Sequence, residues 1–535
     1  MGARIRPTAF LIVRTIIAIF QLLVLSALVL FARCANYRQV FIAGNIYFTD
    51  ADCYARMSRV QKCIEHPGLI LRHHDFENYP TGTTPHTTAP LDYLIVGLAK
   101  LLGPFCHQPV DLAGALVSPL LGLVGMWFLW WWGRMMKLKF NGLGLILYAV
   151  SPILVHGTEL GRPDHQSLLM LLILVAICAE WTLALKPSRG WGIVSGCSWA
   201  LALWVSLYEP AILFGLIFVP ALLVRQGRAR LFLDFRRPGW ICFVAVLALA
   251  LLIERRIPSW TPLVSDQLVR NWMQGIGELH PVPIWSAAWF SWAGYLILFV
   301  PFVSLFLGKE WWNETEGALF ELTLLALLGV TFAMTLSQAR WAYFFLLVWV
   351  LVLPWMFQSC SRRALIWIAF LLSLWPVAQD WDSRFWPNEE ESARLAEQGL
   401  ERVNLRELAL LMQSSEVEPI LAPWWLSPSL SYWSKQPAVA GSSHESIPGI
   451  IDTARFYAAL DPQNARAIAE KREVRFVVAY DSSRTAANCS QILGQTVGEH
   501  AVCYLLNRAP AESLGFLVFA AQNGAGKVFR IANNQ

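Results

Sequence analysis

Long, almost uninterrupted apolar stretches follow one another between residues 9 and 378. They show neither the alternation of a half-buried strand nor the single stripe of a helix that packs one face on a core. A helix apolar all round belongs inside a bundle or in lipid, and about 20 such residues cross a bilayer core of ~30 Å. The pattern predicts about eleven spans, or up to thirteen with short re-entrant segments. They fall at 9–31, 111–132, 140–156, 166–186, 189–206, 208–225, 239–254, 286–307, 317–336, 340–357 and 362–377. From about Asp380 the pattern changes: charges become frequent and the long apolar runs stop. A helical stretch from Glu389 to Gln413 and short strand-like runs such as Val474–Tyr480 predict a small α+β domain. The expected architecture is a polytopic α-helical membrane domain over 1–379 and a soluble α+β domain over 380–535. The first loop, 32–110, is large.

Composition agrees with this reading. Only 15% of the 535 residues are charged, against about a quarter in soluble proteins, and mean hydropathy is +0.46. The first apolar run, Phe10–Phe31, follows Arg4 and Arg6, but it is long for a signal-peptide core and no small-residue cleavage site follows. It reads as a retained span.

Charge then sets the orientation. With the N-terminus inside, the inner loops hold Arg134, Lys137 and Lys139; Lys186 and Arg189; Arg225, Arg228, Arg230, Arg236 and Arg237; and Arg362 and Arg363. That is a positive-inside pattern; only the loop at Lys309 is weak, offset by Glu310, Glu314 and Glu316. The net charge of +5 lies in these loops and points to membrane orientation, not to nucleic acid. The outer face then receives loop 32–110, loop 157–165, loop 255–285, the turn near Arg340 and the C-terminal domain.

Acidic residues played no part in that assignment, yet three acidic loops share the outer face. The first carries Thr49-Asp50-Ala51-Asp52-Cys53-Tyr54-Ala55-Arg56, the second Gly161-Arg162-Pro163-Asp164-His165-Gln166, the third Ile276-Gly277-Glu278. Hard divalent cations bind such carboxylate sets, and a metal so held neutralises a departing phosphate. Each acid alone could equally be a solvated residue or a helix N-cap, which suits Asp164 well. His73 and His74 lack partners at zinc spacing and read as polar loop or substrate contacts. No Walker loop, dinucleotide fingerprint or Ser-His-Asp motif stands out.

Taken in order, these segments resemble the catalytic subunits of oligosaccharyltransferases, C-type glycosyltransferases that use polyprenyl-linked donors. Asp50–Arg56 is similar to the family's first acidic motif, and Tyr79-Pro80-Thr81-Gly82 with Pro90-Leu91-Asp92-Tyr93 to the segments after it. Gly161–Gln166 resembles the second acidic motif, and Ile276-Gly277-Glu278 the acidic motif of a late outer loop. Gln338-Ala339-Arg340-Trp341 resembles the segment whose Arg contacts the donor pyrophosphate, and Pro423-Trp424-Trp425-Leu426-Ser427 the Trp-Trp-Asp-Tyr-Gly segment.

The resemblance implies transfer of a sugar or oligosaccharide from a polyprenyl-phosphate or pyrophosphate donor to an acceptor on the outer face. The acceptor would be a protein Asn, or else a lipid or glycan. It implies Asp50, Asp164 and Glu278 as catalytic carboxylates and, with Asp52, as ligands of Mg2+ or Mn2+. Arg340 would hold the donor phosphate, and Trp424 and Trp425 the acceptor. The expected location is a bacterial inner membrane, with the site facing the periplasm. Two departures stand out: Gln166 replaces a second carboxylate, and Leu426-Ser427-Pro428 replaces Asp-Tyr-Gly, whose Asp reads the sequon hydroxyl. A transporter or flippase of lipid-linked glycans is the competing reading. It would favour charged or broken-helix residues at the bilayer midplane in symmetric halves, whereas here the acids gather at one face. Of two Asn-x-Ser/Thr stretches, at Asn313 and Asn488, neither receives a role. Cys489 and Cys503 share the outer domain, and a disulfide between them is expected.

Overall fold

The computed structural model describes residues 7–223, 233–257, 266–302, 318–359, 363–508 and 514–532. Outside them lie the basic residues Arg225, Arg228, Arg230 and Arg362, the weak loop with Lys309, Glu310, Glu314 and Glu316, the sequon at Asn313, and Cys360.

Every expected span holds a helix. Six described helices are long and apolar enough to cross a membrane: Ile12–Arg33, Pro109–Met136, His165–Leu185, Arg237–Glu254, Ala339–Gln358 and Arg363–Phe385. The helices Arg189–Val205, Tyr208–Leu223 and Ala318–Ser337 occupy three further expected spans. The chain is thus an integral membrane protein. Burial orders the bundle: the apolar window of Ala339–Gln358 is 89% buried and lies at its centre, whereas that of Ile12–Arg33 is 11% buried and faces the surroundings.

Two expected spans are not continuous helices. The 286–307 span is a short helix, Ala288–Ala293, that tightens into a 3-10 segment, Gly294–Phe302. The 140–156 span breaks between Asn141–Val150 and Pro152–His156. Pro152 has no N–H to give the carbonyl four residues back, which is that of Tyr148. Arg33, fully buried at the end of the first helix, donates to that carbonyl at 3.2 Å and to Ala149 O at 3.0 Å. Freed carbonyls in an apolar setting demand such a partner. The guanidinium reaches them because residue 122 is glycine; a Cβ there would collide with it.

A second close approach joins Arg189–Val205 to Arg237–Glu254. A Cβ on Gly192 would meet the carbonyl of Phe235, and one on Gly196 or Gly239 would run into the facing helix backbone. Small residues permit such crossings in membranes. Buried Glu180 braces this corner, accepting from Arg236 Nη2 at 2.8 Å and Nη1 at 3.1 Å.

A short hairpin, β1 (Phe41–Ile42) and β2 (Asn45–Ile46), follows the first helix. The C-terminal part carries β3 (Ile420–Leu421), β4 (Phe476–Ala479), β5 (Leu517–Gln522) and β6 (Lys527–Ile531). Their order is β3-β4-β6-β5, with β3 and β4 parallel and the other pairs antiparallel. The helix Glu389–Leu411 starts from a capping box between Asn388 and Glu391.

The first loop is bound into this C-terminal part. Ala438 N–H donates to Phe76 O at 3.0 Å, and Tyr79 N–H to Ala438 O at 3.1 Å. Arg472 donates to Asn78 Oδ1 at 3.1 Å and Tyr79 O at 3.2 Å. His74 is internal to the loop: it stacks on Phe76 at 3.7 Å and shares a hydrogen bond with Thr83. Cys489 and Cys503 are separate buried thiols, so the expected disulfide is not formed.

Candidate active site

Asp50 is the N-cap of the helix Ala51–Glu65, where its Oδ1 accepts from Cys53 N–H at 2.9 Å. Its backbone position is fixed from the second acidic loop, because Thr49 N–H donates to Gly161 O at 3.0 Å. Gly161 has φ +76, a backbone region that glycine enters without cost. The motif glycine therefore brings Asp50 and Asp164 onto one face. Asp50 Oδ2 then meets Arg162 Nη1 at 3.2 Å. The same Nη1 lies 3.2 Å from His156 Nε2, and His156 Nδ1 lies 2.8 Å from the Tyr343 hydroxyl.

Asp164 caps the helix His165–Leu185 by position only; its side chain makes no cap hydrogen bond and instead pairs with His165 Nδ1 at 2.7 Å. Burial alone would raise its carboxyl, but His165 and then Arg162 hold it well below the usual carboxylate range. Asp52 behaves in the opposite way. Its side chain keeps an open side, yet enclosure by protein, followed by the charges of Asp50, Asp164 and Glu278, pushes it up to about 7. The four carboxylates from three loops thus share one electrostatic environment.

Glu278 stands in a 3-10 turn, Gly277–Leu279. Ala339 N–H donates to His280 O at 2.9 Å, which ties this turn to the one carrying Arg340. Arg340 pairs with the fully buried Glu209 and lies 5.8 Å from the centre of the Tyr208 ring. Neither Arg162 nor Glu209 was singled out from the sequence as a functional residue. The signal that was there to be used for Glu209 is an acid at the edge of an apolar run, Tyr208-Glu209-Pro210; for Arg162 there was none beyond its motif.

A polar cavity of about 340 Å3 opens beside Asp50, lined by Asn36, Gln39, Glu159, Arg162 and Arg402 among others. That is enough for a small ligand or part of a larger one. Burial, moderated by Arg162, pushes Glu159 up to about 7. Trp424 and Trp425 line a different and much smaller cavity, with Thr453, Tyr457 and Asn488. Trp424 Nε1–H donates to Asn488 Oδ1 at 3.1 Å, and Arg484 stands 5.3 Å over the Trp425 ring. Leu426 is buried, and the hydroxyls of Ser427 and Ser429 are spent on the carbonyls of Ala422 and Leu426.

As a donor set the cluster is oxygen-rich. It holds four carboxylates; Gln166, two residues after Asp164, keeps a buried Oε1 with no hydrogen-bond partner among the described residues. Carboxylates are ligands of hard divalent cations, so the chemistry of the set suits such an ion; in this structure, however, no three of these acids bring ligand atoms within 4.8 Å of one another, and Asp50 and Asp164 each pair with a basic side chain instead.

No protein family matches the chain by sequence, and no curated protein does. Solved structures do match its shape. Oligosaccharyltransferase AglB from Archaeoglobus fulgidus, in complex with an inhibitory peptide and a dolichol-phosphate, aligns with TM-score 0.64 over 98% of this chain and 75% of that one, at 13% identity. ArnT from Cupriavidus metallidurans, bound to undecaprenyl phosphate, aligns with TM-score 0.55 over 98% of each chain, again at 13% identity.

The fold is that of the C-type membrane glycosyltransferases.

A further structure of this fold, the Archaeoglobus fulgidus oligosaccharyltransferase in complex with Zn and sulfate, aligns with TM-score 0.62 at 15% identity, covering 89% of this chain and 70% of that one. In this chain the C-type fold brings the acidic loops and the Arg340 turn into one electrostatic environment.

Proposed function

We propose that the chain is a membrane glycosyltransferase that moves a sugar or oligosaccharide from a polyprenyl-phosphate or pyrophosphate donor. The carrying observation is the shared electrostatic environment of Asp50, Asp52, Asp164 and Glu278, reached from three loops, with Arg340 beside them. Solved proteins of this fold bind a dolichol-phosphate, undecaprenyl phosphate and an inhibitory peptide. In this reading Arg340 grips the donor phosphate with its planar fork, kept in place by Glu209. Asp50, oriented by its cap hydrogen bond and by Arg162, faces the acceptor in the polar cavity. The carboxylates would hold Mg2+ or Mn2+, which when bound neutralises the departing phosphate. The site faces the outer side of a bacterial inner membrane.

The acceptor class follows from the Trp424-Trp425 segment. An aliphatic Leu426 cannot accept a hydrogen bond from a Ser or Thr hydroxyl, and the Ser427 and Ser429 hydroxyls are buried and turned onto the carbonyls of Ala422 and Leu426. Discrimination between Asn-x-Thr and Asn-x-Ala peptides is therefore weak, or the acceptor is a lipid or glycan. The test is to incubate purified protein with a lipid-linked oligosaccharide, divalent cation and both peptides, then to read glycopeptide by mass spectrometry. Comparable product from both, or none from either with product on a lipid acceptor, agrees with this reading. A strong Asn-x-Thr preference overturns the acceptor assignment, and translocation of labelled donor in liposomes without turnover overturns the enzyme.

A further inference from the structure

One cluster of ligating side chains lies beside the carboxylates but contains none of them. His86 comes from the first loop; His444 and Glu445 come from the C-terminal part, in the 3-10 turn His444–Ser446. One ligand atom from each lies within 4.8 Å of the others. Glu445 Oε1 is 2.8 Å from His86 Nδ1 and 3.6 Å from His444 Nε2, and the two rings are centred 4.8 Å apart. Ligands at zinc–nitrogen and zinc–oxygen distances on a tetrahedral ion stand ~3.3 Å from one another, so these separations bracket that figure.

We propose that His86, His444 and Glu445 bind a zinc-class transition-metal ion, which staples the first loop to the C-terminal part. Chemistry separates this site from the carboxylate cluster. Two imidazoles and one carboxylate are the donor set of an open zinc site, whereas Mg2+ and Mn2+ favour oxygen ligands.

A plain hydrogen bond between His86 and Glu445 does not account for the arrangement. That bond and one from the His86 backbone N–H both fall on Oε1 of Glu445, and the other oxygen, Oε2, is buried with no hydrogen-bond partner among the described residues. A buried carboxylate oxygen left so is costly, and it is available to a cation. The neighbouring guanidiniums do not oppose a cation unchecked: Arg340 pairs with Glu209, and Arg256 with Glu254 at 3.5 Å. His165 separates the two sites, its ring centred 6.2 Å from that of His86 while its Nδ1 holds Asp164.

The experiment uses the full-length protein in detergent, stripped with chelator, reloaded with Zn2+ in excess Mg2+ and passed through a desalting column. Metal analysis should find about one zinc per chain. Co2+ in its place should give the intense visible bands of a four-coordinate ion. His86→Ala and His444→Ala should each weaken zinc binding at least tenfold, while Asp50→Asn and Asp164→Asn leave it unchanged. The proposal is overturned if the histidine variants retain zinc like the parent, or if zinc is lost with the aspartates. Should the histidine variants fail to fold, X-ray absorption of the zinc-loaded parent decides: two imidazoles in the shell support the staple, and an all-oxygen shell sinks it. No part of this measurement depends on glycosyl transfer, so its outcome is separate from that of the enzyme reading.

Discussion

Single residues carry both the parts of the site that were legible and those that were not. Asp50, Asp164, Glu278 and Arg340 stand out in sequence as members of ordered motifs on one membrane face, Asp50 and Asp164 also by their place beside apolar spans. Their mates Arg162 and Glu209 do not, since which cation meets which acid is settled by loops far apart in the chain. Glu77 shows the same limit. It looks like an ordinary loop acid, yet it is buried, with Ser442 N–H 3.3 Å from its Oε1. Burial, then the charge of Asp52, pushes its carboxyl from 4.5 up to about 8. The folded state therefore holds this proton more tightly than the unfolded state does, and stability falls as pH rises from about 4.5 to about 8. Glu77→Gln keeps the acceptor oxygen and removes the titration. In thermal unfolding the variant should exceed the parent by on the order of 1–4 kcal/mol at pH 9 and match it at pH 4. Parallel curves at all pH values would mean that Glu77 is charged in the fold. For Arg340, replacement by Lys keeps the charge and loses the fork. We expect kcat/KM for the lipid donor to fall by roughly 1–3 kcal/mol in transition-state terms, and unchanged kinetics would assign the residue to its pair with Glu209 alone.

At the scale of elements, hydropathy placed a helix at every expected span, six of them long and apolar enough to cross a bilayer among the described residues, because length and apolarity are all that a bilayer demands of a helix. It did not locate the break at Ser151-Pro152, since the run on either side is equally apolar and its rescuer, Arg33, sits over a hundred residues earlier. That arginine reads as a basic residue flanking the first span, yet it is fully buried and also donates to Thr158 Oγ1 at 2.8 Å. Arg33→Met should therefore cost roughly 2–4 kcal/mol, through carbonyls left unpaired in an apolar setting. The readout is the thermal midpoint in detergent, and a shift within error would show that Tyr148 and Ala149 find other partners. The α+β character of the tail was legible from its strand-like runs, whereas the parallel pairing of β3 with β4 was not, because about a third of that part, mostly helical, lies between the two strands.

For the whole molecule, the charge alternation predicts which face the acids share, and sidedness can be measured without reference to catalysis. Native cysteines serve poorly, since Cys489 and Cys503 are buried. Ser415 and Lys139 are exposed and lie on opposite sides in the proposed topology. A membrane-impermeant maleimide added to intact cells should label Ser415→Cys and spare Lys139→Cys; the reverse pattern would turn the protein over and place the active site in the cytoplasm. The docking of the first loop on the C-terminal part has a consequence for biosynthesis. Glu77 and its partner Ser442 are separated by 365 residues, and chains are made at about 5–20 residues per second. The loop is thus translated about 20–70 s before the backbone that will hold it, and until then its buried acid has only solvent and whatever factor attends the emerging chain. A ribosome stalled anywhere short of Ser442 would leave the Glu77 segment of the first loop undocked, however completely the spans before it had been inserted.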